Sequence, residues 1–204
     1  MEKRLATDIF SEWAIIGKDE GMQKGHADSV KEMFLLVDPY LKSKFSVIDM
    51  GCGNGWVCRK LTQDQRCQKV VGIDGSKNMI EKAKSFDPSG EYYHVLLPEW
   101  KPNEKFDLIH SMEFLYYLKK PLKMLKEIYD SWLNHNGIFV AGIDYYLENK
   151  NSHIWPERLN VHMTLHSIEE WKNGLLNAGF KNVEIHQVAS KEDFIGTLVM
   201  IGMK

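Results

Sequence analysis

The sequence offers little sulfur chemistry: its three cysteines, Cys52, Cys58 and Cys67, are an odd number in no metal-ligand spacing. That argues against a disulfide framework and against a cysteine zinc site, and it suits reduced thiols in a cytosol. No run approaches the roughly 20 apolar residues of a membrane span. The opening "MEKRLATDIFSEWA" also lacks the basic-then-apolar order of a secretory signal. The expectation is a cytoplasmic chain with no membrane partner. Charge of one sign is missing too. The formal net charge is -2, with lysines and acids interleaved, so there is no basic stripe for a phosphate backbone and nucleic acid is not expected as a partner. Repeats and low-complexity segments are absent. What is present is 204 residues with 44% hydrophobic content, the size and composition of one α/β domain with a real core.

Short β-rich runs alternate with helical patterns along the chain. The runs are "FSVIDM" (45–50), "KVVGID" (69–74), "EYYHV" (91–95), "KFDLIHS" (105–111) and "GIFVAGI" (137–143). Helical spacing covers 56–63, 76–86 and 121–134, where Leu122, Leu125, Ile128 and Trp132 form one apolar stripe. This order predicts a mostly parallel sheet with helices on both faces. Near the end, Ser167 and Glu170 stand in capping-box spacing and Gly179 closes the helix they open. Strands follow at 181–188 and 193–202, too close together for a crossover helix, so they should pair antiparallel.

Two regions stand outside the alternation. In 11–26, "SEWAIIGKDEGMQKGH", glycines and charges break any helix before a periodic pattern resumes over Ala27 to Leu41. The stretch 144–166, "DYYLENKNSHIWPERLNVHMTLH", is long for a connection in a compact domain, which suggests a lid, binding loop or mobile segment. His153, His162 and His166 lie within it, but two of them sit four apart without an acid partner, so no metal site is expected.

The segment with the most chemistry is "VIDMGCGNGWVCRKL", residues 47–61. A glycine-rich strand-to-helix turn exposes backbone N–H groups where an anionic group is favoured. The dinucleotide fingerprint would place a third small residue where this chain has Trp56. Asp49, two residues before Gly51, would meet a pyrophosphate with like charge. A ligand without phosphate fits better. S-adenosylmethionine carries a sulfonium, an amino group and one carboxylate, so the loop amides would take the carboxylate while Asp49 supports the cationic part. The second strand ends in Asp74, placed to accept both ribose hydroxyls of an adenosine cofactor.

Together these features resemble the class I S-adenosylmethionine-dependent methyltransferases over about residues 45–145. "VIDMGCGNG" is similar to the family's first motif, "VVGIDGSKNMIEKAK" to its ribose motif, "KFDLIHSMEFLYYL" to its fourth strand and following loop, and "LKEIYDSWLNHNGIFVAG" to its next helix and fifth strand. The resemblance implies a Rossmann-like doubly wound seven-stranded sheet of order 3-2-1-4-5-7-6 with the last strand antiparallel. It implies cofactor contacts from Asp49, Gly51, Gly53 and Gly55, with Cys52 admitted between them for its small size, from Asp74 to the ribose, and from Gly75, Ser76 and Met79 around the adenine. His110, Ser111 and Met112 should line the floor near the reacting methyl. Where the family usually presents an acid to the adenine amino group, this chain reads "HVLLPEW". Leu96 and Leu97 can contribute there only through backbone, or Glu99 takes the part from a displaced position.

The function implied is transfer of the sulfonium methyl to a small-molecule acceptor. Candidate bases are Glu113, Asp144, His110, His26 and Tyr145, the first two favoured because they follow the fourth and fifth strands. The loop "HSMEF" lacks the Asn/Asp-Pro-Pro-Tyr pattern of enzymes that methylate base or amide nitrogens. The alternatives are protein or RNA methylation, or a silent cofactor-binding subunit. Residues 1–204 read as one domain, with 1–26 as a lid and 144–166 as an insertion on the acceptor side, bringing Trp13, Lys18, Tyr146 and Trp155 to the reaction. Oligomeric state is not legible.

Overall fold

The computed structural model describes residues 3–204. Two helices come first, α1 (Ala6–Ile16) and α2 (Lys18–Val37). Then follow β1 (Phe45–Met50), α3 (Trp56–Leu61), β2 (Cys67–Asp74), α4 (Lys77–Phe86), β3 (Glu91–His94) and β4 (Phe106–Met112). The chain continues through α5 (Pro121–Glu127), β5 (Leu133–Ile143), α6 (Trp155–Arg158), α7 (Ile168–Ala178), β6 (Lys181–Val188) and β7 (Thr197–Met203). One sheet holds all seven strands in the order β3-β2-β1-β4-β5-β7-β6. The pairs among β1 to β5 are parallel, and β7 runs antiparallel to both β5 and β6. This is the expected doubly wound order, and the expected terminal hairpin.

The central strands are apolar on both faces because both faces are covered. Along β1, Val47 packs with α2 and α3 residues such as Val30, Met33 and Val57, while Ile48 and Met50 pack on the other face with Leu125 and Trp171 of α5 and α7. Side-chain alternation then places Asp49 on the α2 face, and its parallel partner across the ladder, His110, with it.

The N-terminal segment differs from its expected irregular course. Gly17, at φ 74, does end α1 and its N–H bonds the Trp13 carbonyl. Gly21 and Gly25 do not stop α2, which runs unbroken for 20 residues. Both glycines face solvent, where an added Cβ would meet nothing, and each costs the helix only about 1 kcal/mol relative to alanine. The opposite face, with Asp19, Met22, Gln23, His26, Val30, Met33 and Val37, anchors it. The third predicted helix is also shorter than its pattern. After α5 the chain makes a π turn over Ile128–Trp132, and β5 begins at Leu133, with Asn136 at φ 62 beside Gly137 marking a register shift against β4.

The 144–166 segment is a packed structure, with Tyr145, Tyr146, Ser152, Val161 and Met163 buried and a bridge from Val161 to Arg4. Its histidines have separate neighbours: His153 meets the Leu147 carbonyl, His162 the Thr164 hydroxyl and His166 the Trp171 ring. Ser167 and Glu170 form the expected capping box on α7, and Gly179 closes it in the left-handed region. Ser167→Ala should cost about 1 kcal/mol and lower the melting temperature by roughly 2–4 °C in a thermal denaturation scan.

Candidate active site

A cavity of about 350 Å³ opens above the carboxyl ends of β1, β2 and β4, the position where doubly wound sheets bind ligands. Its floor is the loop from Asp49 to Val57. One wall is Asp74, Gly75 and Met79, another Val95, Leu96, Leu97 and Glu99, and the far end Met112, Glu113, Phe114 and Tyr117. Helices α1 and α2 roof it with Leu5, Thr7, Phe10, Asp19, Gln23 and His26.

The glycine loop is shaped by three left-handed residues, Gly51 (φ 73), Gly53 (φ 53) and Gly55 (φ 75). Their reasons differ. A Cβ at Gly51 would lie 2.7 Å from Phe114 Cβ, and one at Gly55 2.6 Å from Tyr92 Cε1, so both glycines admit neighbouring side chains. A Cβ at Gly53 would find only Met79 Sδ at 3.9 Å, so this glycine keeps cavity space clear. Four of the loop amides are already committed within the protein. Gly51 and Cys52 N–H both donate to the Ile73 carbonyl, Gly53 N–H to Asp74 Oδ2 at 3.0 Å, and Gly55 N–H to the Cys52 carbonyl. The loop therefore acts first as a shaped surface; the amides of Gly51, Cys52 and Gly53 hold it to β2, and that of Gly55 closes a turn within it.

Asp74 closes β2 with each oxygen taking one backbone donor, Gly53 N–H and, at 2.7 Å, Ser76 N–H. A carboxylate has about four lone-pair positions, which leaves room for two ligand hydroxyls. Burial pushes its pKa up to about 6, against the pull of those two N–H groups. Trp56 stands in the wall where a dinucleotide fold needs a small residue.

Several predicted contacts lie outside the cavity wall. His110 is wholly buried: Nδ1 meets Asp49 Oδ1 at 2.7 Å and the ring stacks on Phe34. It supports Asp49 from beneath and does not reach the cavity wall, unlike the position on the floor expected from the sequence. Ser111 donates to the Met50 carbonyl, and Ser76 caps α4 while meeting Ser11 Oγ at 2.8 Å; both are buried. Tyr145 is buried between Tyr116 and Trp155, and no residue of 144–166 lines the cavity among those described. That insertion packs behind the site, as do Tyr146 and Trp155. Trp13 turns to Phe10 and under Lys18 Nζ, away from the wall. Asp49, Gly51, Cys52, Gly53, Asp74, Gly75, Met79, Leu96, Leu97 and Met112 do line it.

Three of the proposed bases gather at one end. His26 of α2, Glu113 after β4 and Asp144 after β5 bring one ligand atom each within 4.8 Å of the others. His26 and Glu113 face the cavity, and Asp144 stands one layer behind. Glu113, at φ 56, accepts from the Asp144 N–H through Oε1 and from Tyr116 OH at 2.8 Å through Oε2. Asp144 Oδ1 accepts from Thr197 Oγ1 at 2.6 Å, and that hydroxyl lies 2.7 Å from Ser29 Oγ. Burial and the nearby Asp144 charge push Glu113 up to about 8. Burial disfavours charge on His26, but the Asp144 and Glu113 carboxylates outweigh it and raise the ring above its ordinary value.

The sequence points to His26 but not to the other α2 residues that line the cavity. Asp19 and Gln23 share a helical face with His26, at intervals of four and three, a period hidden by Gly21 and Gly25. Asp19 holds Asn54 Nδ2 and Lys82 Nζ, each at 2.8 Å, and so ties α2 to the glycine loop and to α4.

A seven-stranded sheet of this order, with a carboxylate-ended second strand beside a glycine loop, defines the class of Rossmann-like methyltransferases. The model of the methyltransferase domain family matches residues 19–185. The chain belongs to the S-adenosylmethionine-dependent methyltransferases of class I. It is similar to a tRNA U34 carboxymethyltransferase of Campylobacter jejuni subsp. doylei, 28% identical over 164 residues, covering 74% of this chain and 55% of that protein. It is also similar to a trans-aconitate 2-methyltransferase of Agrobacterium fabrum, 25% identical over 147 residues, covering 72% and 54%. The chain thus spans about half the length of these curated relatives. Among solved structures, the complex of the Haloferax volcanii Trm112 methyltransferase activator with its methyltransferase aligns at TM-score 0.82 and 25% identity, covering 95% of this chain and 96% of that one. No described helix is long and apolar enough to cross a membrane.

Proposed function

We propose that this chain moves the sulfonium methyl of S-adenosylmethionine to a small-molecule acceptor held at the His26–Glu113 end of the cavity. The observation that carries this reading is one continuous cavity with a hydroxyl-accepting carboxylate, Asp74, on one wall and a cluster of proton-accepting side chains at the far end. The adenosine lies along Asp74, Gly75, Met79, Leu96 and Leu97. Asp49, braced by His110, faces the cationic part. The acceptor enters under α1 and α2, whose side chains, Phe10 among them, exclude water from the transfer.

Transfer itself is a matter of alignment: an acceptor lone pair attacks the methyl carbon in line with the breaking carbon–sulfur bond. The electrons of that bond go to sulfur, giving neutral S-adenosylhomocysteine. An acceptor proton leaves at the His26–Glu113 end. His26→Ala should lower kcat/KM by about 10²–10⁴ while leaving S-adenosylmethionine affinity within about threefold, as read by single-turnover kinetics beside calorimetry.

A cavity of about 350 Å³ falls in the range of small-ligand sites, and a roof of two helices suits an enclosed acceptor. The similarity to a tRNA enzyme favours a second reading, RNA methylation. Incubation with methyl-labelled cofactor and cell extract separated into solutes, protein and RNA decides: label in solutes supports the proposal, and label in RNA overturns it. Because the Haloferax neighbour is held by an activator protein, the assay is run with the chain alone and with extract protein added.

A further inference from the structure

We infer that His26, Glu113 and Asp144 form a divalent-cation site that binds the acceptor through oxygen. This rests on the reading of that cavity end as the acceptor site. Three atoms able to present lone pairs converge there from three different elements, His26 doing so through Nε2 as the Nδ1–H tautomer. Asp144 Oδ2 meets only the His26 Nε2, at 3.6 Å, which is longer than a hydrogen bond. Among the described residues the ion pairs give Glu113 no partner and Asp144 only this ring, so two carboxylates share a partly buried pocket without a Lys or Arg. For both to be ionised together, such a pair needs positive charge beside it.

The outer contacts suit ionised ligands. Both oxygens of Glu113 receive donors, from the Asp144 N–H and Tyr116 OH, and Asp144 Oδ1 receives Thr197. These groups fix the carboxylates and leave their remaining lone pairs toward His26, the outer layer a metal centre requires. Around a cation with bonds of about 2.1 Å, ligands stand about 3 Å apart when adjacent and about 4.2 Å when opposite. The three atoms lie within 4.8 Å of one another, so small side-chain rotations complete the set. One imidazole and two carboxylates carry -2 together and suit a first-row dication of the Mn²⁺ or Zn²⁺ type. Three protein ligands leave positions open on the cavity side.

An acceptor hydroxyl fills one of them. Bound to the cation, it loses its proton to solvent water at lower pH than when free, and the resulting oxygen anion attacks the methyl. The O–C bond forms as the C–S bond breaks, and the products are a methyl ether and S-adenosylhomocysteine. Charge and atoms balance without a further reactant.

The test titrates Mn²⁺ into chelator-treated protein at neutral pH and follows free Mn²⁺ by electron paramagnetic resonance, with S-adenosylhomocysteine calorimetry on the same sample. The expected result is one Mn²⁺ per chain, bound at least about tenfold more weakly after His26→Gln, whose site is half-buried and tolerates the change, and after Asp144→Asn. Selective broadening of the His26 ring signals in the NMR spectrum should accompany binding. No saturable Mn²⁺ binding, or binding indifferent to both substitutions, overturns the inference even where S-adenosylhomocysteine still binds. Failure of S-adenosylhomocysteine to bind would instead overturn the proposed function and leave a Mn²⁺ result standing.

Discussion

Asp74→Ala is expected to weaken S-adenosylmethionine and S-adenosylhomocysteine binding by about 10- to 150-fold, the loss of roughly 1.5–3 kcal/mol from hydrogen bonds to a charged acceptor. The same carboxylate accepts from Gly53 N–H and Ser76 N–H, so the substitution also releases those two amides, while Gly51 and Cys52 stay bonded to the Ile73 carbonyl. The wild-type protein should report this group through pH. Burial places Asp74 at about 6, and ribose hydroxyls donate to its ionised form. Affinity should be level above pH 6 and fall below it, approaching tenfold per unit, with a proton released on binding near pH 6. The sign for the free protein is the reverse. Between its ordinary 3.8 and about 6 the folded state holds the proton more tightly than the unfolded chain, so this group's contribution to stability decreases as pH rises through that window. Calorimetry in two buffers of different ionisation enthalpy measures both. Affinity unchanged from pH 7 to pH 5, or in the variant, would remove Asp74 from the ribose.

Gly53→Val should abolish measurable cofactor binding. The side chain would grow into the one direction the protein leaves open, with Met79 Sδ at 3.9 Å as its nearest neighbour. At φ 53 a branched residue is strained as well, by about 1–3 kcal/mol, so the protein should still fold with a lowered melting temperature. Gly55→Ala makes the informative contrast. Its Cβ would press on the Tyr92 ring at 2.6 Å, and the damage should appear in thermal stability as much as in binding. If Gly53→Val binds the cofactor as tightly as the parent, the ligand does not pass over this loop.

How much of this was legible in the sequence depended on whether the signal was local. The strands β1 and β6 match their predicted limits because alternation and turn residues are local properties. The capping box at Ser167 is local too. The sequence places residues 1–26 over the site but not the unbroken course of α2, because Gly21 and Gly25 mark a break by propensity, whereas burial of the opposite face decides the outcome. His110 was misplaced for a related reason. Its position at a strand end suggested ligand contact, but the pleat turns its side chain toward α2, where Asp49 and Phe34 wait. The loop amides were counted as free donors since no sequence shows that the Ile73 carbonyl and Asp74 consume them. Glu113 and Asp144 were legible from strand order alone; their union with His26 required α2 to be continuous.

The reversed strand β7 has a consequence for how the protein is made. It slots between β5 and β6, and it is the last of the sheet's seven strands to leave a ribosome. Until residues through Met203 have emerged, β5 presents an unpaired apolar edge that invites association with other nascent chains. Thr197, the first residue of β7, is also the hydroxyl that orients Asp144. A chain still under synthesis therefore holds the glycine loop and Asp74 but lacks a fixed Asp144. It should capture cofactor before it is able to use it, and ribosome-bound chains stalled before Thr197 would retain S-adenosylhomocysteine yet show no turnover.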